Sequence, residues 1–150
     1  MIVIEQTLAI IKPEAVGRGL LGKILAHLEQ QGFRVRAMKL VQLGKSDAQA
    51  LYRVHAGKSF YDSLTTYMAS GPIVPLLLAR ENAVQALRDL MGATDPAKAA
   101  PGTIRRAYGE NIEHNAIHGS DAPATAATEI AFFFNSLEIV REVYDDRNQR

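Results

Sequence analysis

The chain reads as an α+β sandwich of the split β-α-β type, a four-stranded antiparallel sheet with helices packed on it. Short continuous apolar runs at residues 8–11 and 73–79 have strand length, not helix length. Segments with apolar residues three and four apart alternate with them. The resulting order is β-α-β, then helices, then β-α, and finally a short strand ahead of a closing helix. At 150 residues, 1–150 form one domain with a real core, and the charged end 145–150 is expected to fray.

The first strand, 8–11, ends at Lys12-Pro13, because the residue before proline leaves the helical region. Leu20, Leu21, Ile24, Leu25 and Leu28 share one face of a helix that Gly32 stops. Residues 35–43 interleave apolar side chains with Arg36, Lys39 and Gln42, a strand with one wet side. Ser46 and Gln49 have capping-box spacing and open a short helix through Val54, ended by Gly57, with Tyr52 and His55 on or just past it. Ser59 is placed to cap the next helix, where Phe60, Leu64, Tyr67 and Met68 form a stripe before Gly71-Pro72. Pro75 removes a ladder donor from the run 73–79 and argues for an irregular or edge position. Asn82 with Gln85 marks another helix start, with Val84, Leu87, Leu90 and Met91 on one face and Arg88 on another. Residues 92–116 show no periodicity and read as one long irregular stretch of the kind that carries function. The last helix starts near Asp121 to Pro123 and presents Ala127, Ile130, Ala131 and Phe134, with Glu129 close by.

Composition narrows the function classes. The chain is 47% hydrophobic and 22% charged with a formal charge of +1, an ordinary globular balance. Its basic residues form no tract for nucleic acid, so an anionic ligand must be met by side chains converging in space, which suits a small phosphate. There is no cysteine, hence no disulfide framework, thiolate nucleophile or thiolate metal site. Residues 1–6 lack a basic segment followed by an apolar one, and no apolar run approaches ~18 residues. Secretion and membrane spanning are not expected, and a cytoplasmic location is.

Two glycine motifs are refused. Gly17-Arg18-Gly19-Leu20-Leu21-Gly22 satisfies G-x-G-x-x-G, and Lys23 nearly completes a P-loop. Four residues separate Gly17 from Pro13, position 42 is Gln where a dinucleotide site needs an acid, and position 24 is Ile where a P-loop needs a hydroxyl. The run is a glycine-rich helix entry.

Asn115-Ala116-Ile117-His118-Gly119-Ser120-Asp121 sets a histidine at the junction of the irregular stretch and the last helix. A histidine nucleophile needs one ring nitrogen with a free lone pair and the other held as N–H by an acceptor. Glu129 is placed to orient the ring, with Ser120 holding that carboxylate. The plainer reading has Ser120 and Asp121 capping the helix and Glu129 solvated. His114 lacks the Gly-Ser-Asp context and is assigned to surface or loop.

The N-x-x-H-G-S-D run resembles the active-site signature of nucleoside diphosphate kinases. The resemblance extends from about Thr7 to Phe134 through Ile11-Lys12-Pro13-Glu14, Gly17-Arg18-Gly19-Leu20, Ser70-Gly71-Pro72, Asn82-Ala83-Val84, Gly92-Ala93-Thr94-Asp95-Pro96 and Pro101-Gly102-Thr103-Ile104-Arg105. It implies a ferredoxin-like fold and a ping-pong transfer of a γ-phosphoryl group from a nucleoside triphosphate to a diphosphate through phosphorylated His118. It further implies that Lys12, Tyr52, Arg88, Thr94 and Arg105 contact phosphates, with His55 nearby. Lys12 and Asn115 reach the ribose, and Phe60 and Ile112 clamp the base without reading its edge. Mg2+ is then the cofactor, held mainly by substrate phosphates and water, in a homo-oligomer of hexamer or tetramer type to which residues 137–143 could contribute. The alternatives are a catalytically inactive regulatory or nucleic-acid-binding module on the same fold, and a transfer from phospho-His118 to a protein partner as well.

Overall fold

The computed structural model describes residues 3–141. Along the chain lie β1 (Ile4–Ile11), α1 (Pro13–Gly17), α2 (Leu21–Gln30), β2 (Arg34–Met38), α3 (Lys45–Leu51), α4 (Tyr61–Met68), β3 (Val74–Glu81), α5 (Ala83–Met91), α6 (Ile104–Tyr108), β4 (Ile117–Gly119) and α7 (Pro123–Phe133). Short 3-10 turns occupy Arg53–His55, Pro96–Lys98 and Ser136–Glu138. The strands make one sheet in the order β2-β3-β1-β4, and every pairing is antiparallel, as the sequence predicts.

Alternation along the two central strands divides the core. Ala9, Ile11, Val74, Leu76 and Leu78 bury one sheet face with Ile24 and Leu28 of α2 and Leu87 and Met91 of α5. Leu8, Ile10, Ile73 and Leu77 bury the other with Tyr67 and Met68 of α4 and Phe133 of α7. A strand covered on both faces needs apolar residues at every position, which is why these runs are continuous.

Several local expectations are corrected. β2 is shorter than 35–43: it ends at Met38, and only Val41 returns to bridge Ile73. Ser46 caps nothing, since α3 opens one residue earlier and the Asp47 carboxylate accepts the Gly44 N–H at 2.9 Å. The helix stops at Leu51 and passes into the 3-10 turn instead of running to Val54. Ser59 lies one residue outside α4, whose N-cap is Phe60, and the helix ends at Met68 before Gly71-Pro72. Phe60 thereby stands at the end of the stripe's face, beyond the core, and is 46% exposed. Asn82 has φ +52° and its side chain accepts nothing; Glu5 of β1 takes the Val84 N–H at 2.8 Å in its stead. Pro75 sits in central strand β3, but just past the end of the β2 ladder, so its position is locally edge-like as the sequence suggests. Its carbonyl accepts the Lys39 N–H, and its missing donor faces that thinned flank, where only the Val41–Ile73 bridge follows.

The stretch 92–116 is not wholly irregular. Thr103 accepts the Arg106 N–H at 3.3 Å and starts α6, a five-residue helix too short to show a period. The closing helix buries Ala126, Glu129 and Phe133, while Ala127 and Ala131 face out. Its N-cap is Ala122, so neither Ser120 nor Asp121 caps it. The tail 145–150 and residues 142 and 143 lie outside the described residues.

Two glycines permit close approach. At Gly119 an added Cβ would meet Met91 and Leu87, so the missing side chain lets β4 lie against α5. Gly92 has φ +84° and ψ −174°, a region essentially reserved for glycine, and a Cβ there would lie 2.6 Å from Thr103 Oγ1. Gly92→Ala is therefore expected to lower stability by at least about 2 kcal/mol. Urea denaturation should show a lower midpoint at unchanged slope; an unshifted midpoint would refute the steric account.

Candidate functional site

The site begins at β4. His118 pairs across the sheet with Ile10 of β1, while Ile117 enters the core on the opposite face. Alternation thus turns the imidazole towards α7, where Glu129 occupies a buried position. His118 Nε2 lies 2.9 Å from Glu129 Oε1 and 3.1 Å from Oε2. A carboxylate only accepts, so Nε2 carries a proton, and in the neutral ring Nδ1 then holds the free lone pair. Ser120 Oγ donates to the same Oε1 at 2.6 Å, and Ser120 N–H donates to Leu8 O at 3.0 Å. Ring, carboxylate and hydroxyl are thereby fixed to β1.

Tyr52, at the C-terminal end of α3, meets the His118 ring edge-on with centroids 5.8 Å apart. Its hydroxyl is buried without a partner among the described residues, and burial followed by the Glu129 charge holds it above the usual phenol range. His55 stacks on Tyr52 and leans on Phe60 at 5.2 Å. Burial, then the Lys58 ammonium 3.1 Å from Nδ1, lowers the His55 pKa and favours the neutral ring.

A second set reaches the same place from the irregular stretch. Lys12 follows β1; its backbone N–H donates to Ala116 O and its Nζ to Glu113 O at 3.3 Å. Desolvation first, then the Arg105 charge, brings the Lys12 ammonium down to about 8. Arg105 of α6 donates to Gly92 O at 3.1 Å and to Ile117 O at 2.9 Å, beside the histidine, leaving Nε unpartnered. Burial and the neighbouring Arg88 lower it to about 10, so it remains cationic at neutral pH. Buried Asn115 donates to Thr94 O and Ile112 O, and its Oδ1 lacks a partner. Arg88, Thr94 and Ile112 are exposed.

Two buried cations with no ion pair among the described residues are held close enough to repel, a costly arrangement that an anion relieves. Tyr52 Oη, Arg105 Nε and Asn115 Oδ1, unpartnered among the described residues, add polar atoms whose hydrogen-bonding capacity is open there.

Sequence reasoning missed Glu14. Its Oε1 accepts the Ala116 N–H at 2.7 Å, pinning a non-glycine residue at φ +75° two positions before His118. Nothing in the sequence marks this, because an acid in the first turn of a helix ordinarily complements the dipole. His114 is likewise no idle loop residue: its ring stacks on Tyr67 with centroids 4.1 Å apart.

Fold and site together define an antiparallel α+β sandwich carrying a carboxylate-anchored histidine beside buried cations. Residues 5–139 match the family model described as "Nucleoside diphosphate kinase". The chain is 54% identical over 137 residues to the nucleoside diphosphate kinase of Nitratidesulfovibrio vulgaris, covering 91% of this chain and 99% of that one. The Sorangium cellulosum protein of the same name is 52% identical, with 91% and 94% covered. Among solved structures, the Aquifex aeolicus nucleoside diphosphate kinase superposes with TM-score 0.90 at 41% identity, over 92% of this chain and all of that one. A halophilic nucleoside diphosphate kinase from Halobacterium salinarum, in complex with CDP, gives 0.93 at 38% identity over 98% of each. The chain belongs to the nucleoside diphosphate kinase family.

A lysine pKa lowered to about 8 means that positive charge is lost as pH rises through that value. Sulfate, whose own charge is constant there, is expected to bind more than about tenfold more weakly at pH 9.5 than at pH 7.5, while Lys12→Arg stays flat. Calorimetric titration checks this, and equal wild-type affinity at both values would overturn it.

Proposed function

We propose that this nucleoside diphosphate kinase works by a ping-pong exchange in which His118 Nδ1 takes the γ-phosphoryl group of a nucleoside triphosphate and returns it to a second nucleoside diphosphate. The observation that carries the reading is the Nε2–Glu129–Ser120 chain, which holds the ring so that Nδ1 serves as the nucleophile, on a strand whose Ile117 carbonyl binds the buried Arg105. As the N–P bond forms, the ring becomes cationic, and the carboxylate already 2.9 Å from Nε2 stabilises that charge without reorganising. The leaving β-phosphate keeps the bonding pair, and Lys12, Arg88 and Arg105 with Thr94 and Tyr52 neutralise and position the phosphates. Phosphoryl transfer through a loose transition state depends mainly on such positioning and neutralisation. The second half-reaction reverses these steps in the same pocket.

Asn115 and Lys12 are assigned to the ribose, and Phe60 and Ile112 to the base, with His55 backing Phe60. Two exposed apolar side chains offer stacking and contact but no hydrogen-bonding edge, which suits a site with little base specificity. Among the described residues no three His, Asp or Glu side chains gather as a metal-binding group. A Mg2+ ion at this site would take its ligands from substrate phosphates and water, and its charge would further offset that of the phosphates.

The reading extends to a homo-oligomer, a hexamer or tetramer, in the cytoplasm. It is supported by β2, an edge strand to which Val140 is tied through Arg36, and by exposed Leu40 and Leu137. No described helix is long and apolar enough to cross a membrane. An inactive module is not favoured, because every residue assigned to the chemistry is present and the nucleophile is already oriented.

Incubation with γ-labelled ATP and Mg2+ should leave acid-labile, alkali-stable label on the protein that a GDP chase removes, and His118→Ala should take up none. Glu129→Gln should lower kcat on the order of a hundredfold while the fold persists. Label retained on His118→Ala would refute the assignment.

A further inference from the structure

We infer that His114 is a positioning residue for nucleotide binding, acting through its stack on Tyr67 to hold the turn that carries Ile112 against the same helix face that carries Phe60. The inference deepens the reading above and rests on its assignment of Phe60 and Ile112 to the base.

The turn 110–114 is closed on itself. Asn111 Oδ1 accepts the N–H groups of Glu113 and His114, and His114 O accepts those of Glu110 and Asn111. Its tip, Ile112, is 60% exposed, so no core packing fixes where that side chain stands. Position must come from what ties the turn to the body. Arg18 pairs with Glu110 at 3.4 Å, Lys12 Nζ donates to Glu113 O and Asn115 Nδ2 to Ile112 O, and towards α4 the His114 ring lies nearly parallel to Tyr67, 17° apart at 4.1 Å between centroids. Ser63 Oγ adds a hydrogen bond to Glu113 Oε1 at 3.1 Å.

Phe60, Ser63 and Tyr67 are spaced i, i+3 and i+7 along α4 and its N-cap, one face of a helix. The turn is thus fastened at two points to the helix that begins with Phe60, and the stack sets where Ile112 stands relative to it. Tyr67 is itself anchored in the body: it is buried, and its hydroxyl accepts the Glu14 N–H at 3.3 Å. His114 contributes the second ring of the stack, while its nitrogens lie 3.7 Å from Glu113 and 4.0 Å from Glu110, contacts within the turn itself that do not reach α4.

Three proteins decide this: wild type, His114→Ala and His114→Phe, the last keeping a flat ring without its nitrogens. Calorimetry with ADP on unphosphorylated protein should show about three- to tenfold weaker binding for His114→Ala, the range expected for loss of an aromatic stack, and near wild-type binding for His114→Phe. KM for ADP and GDP should rise in parallel while kcat stays within about twofold, since no reacting group is touched. Ribose 5-triphosphate, which lacks a base, should bind all three alike. Unchanged ADP affinity in His114→Ala, an equal loss for ribose 5-triphosphate, or a fall in kcat at constant KM would overturn the inference. Absent turnover in wild type would refute the proposed function alone, because the binding comparison still decides the role of His114.

Discussion

The carboxylate of Glu129 is the constraint on which the rest of this site depends. It is buried on α7, accepts from both His118 and Ser120, and so joins the closing helix to the edge strand β4 and, through the Ser120 backbone, to β1. A buried carboxylate is tolerable only when its oxygens are satisfied, and here the satisfying donors are the His118 ring and the Ser120 hydroxyl. Satisfying the buried carboxylate and orienting the His118 ring are thus one requirement, met by the same three side chains.

The opposite logic governs the cations. Lys12 and Arg105 are each held by backbone carbonyls, which orient them without cancelling their charge. Carboxylates in those places would make the unliganded protein more comfortable and the pocket less attractive to phosphate. Folding energy from two apolar clusters supports this local imbalance.

The sequence made the architecture legible because both central strands are buried on two faces and advertise themselves as unbroken apolar runs. It was less informative at helix starts. Ser46, Ser59 and Asn82 are all residue types that cap helices, yet the true partners were Asp47, none, and Glu5, the last 79 residues away from the N–H it accepts. Helix α6 went unseen because five residues cannot display a 3.6-residue period. At the site, the contact of His118, Glu129 and Ser120 was readable from spacing and chemistry, and most of the residues proposed for nucleotide binding only through the family resemblance. Glu14 and His114 stayed hidden, since their roles arise from neighbours about 50 to 100 positions distant that leave no local pattern.

That distance has a kinetic consequence. Ser120 reaches back 112 residues to Leu8, and Ala116 reaches back 102 to Glu14. Closing such long loops comes late and slowly, after the local helices have formed. During synthesis β1 and β3 are available long before β4 emerges, so the sheet grows for most of that time with an empty flank. The bond from His118 Nε2 to Glu129 can form only when the strand bearing the histidine docks, which makes completion of this site a late milestone of assembly.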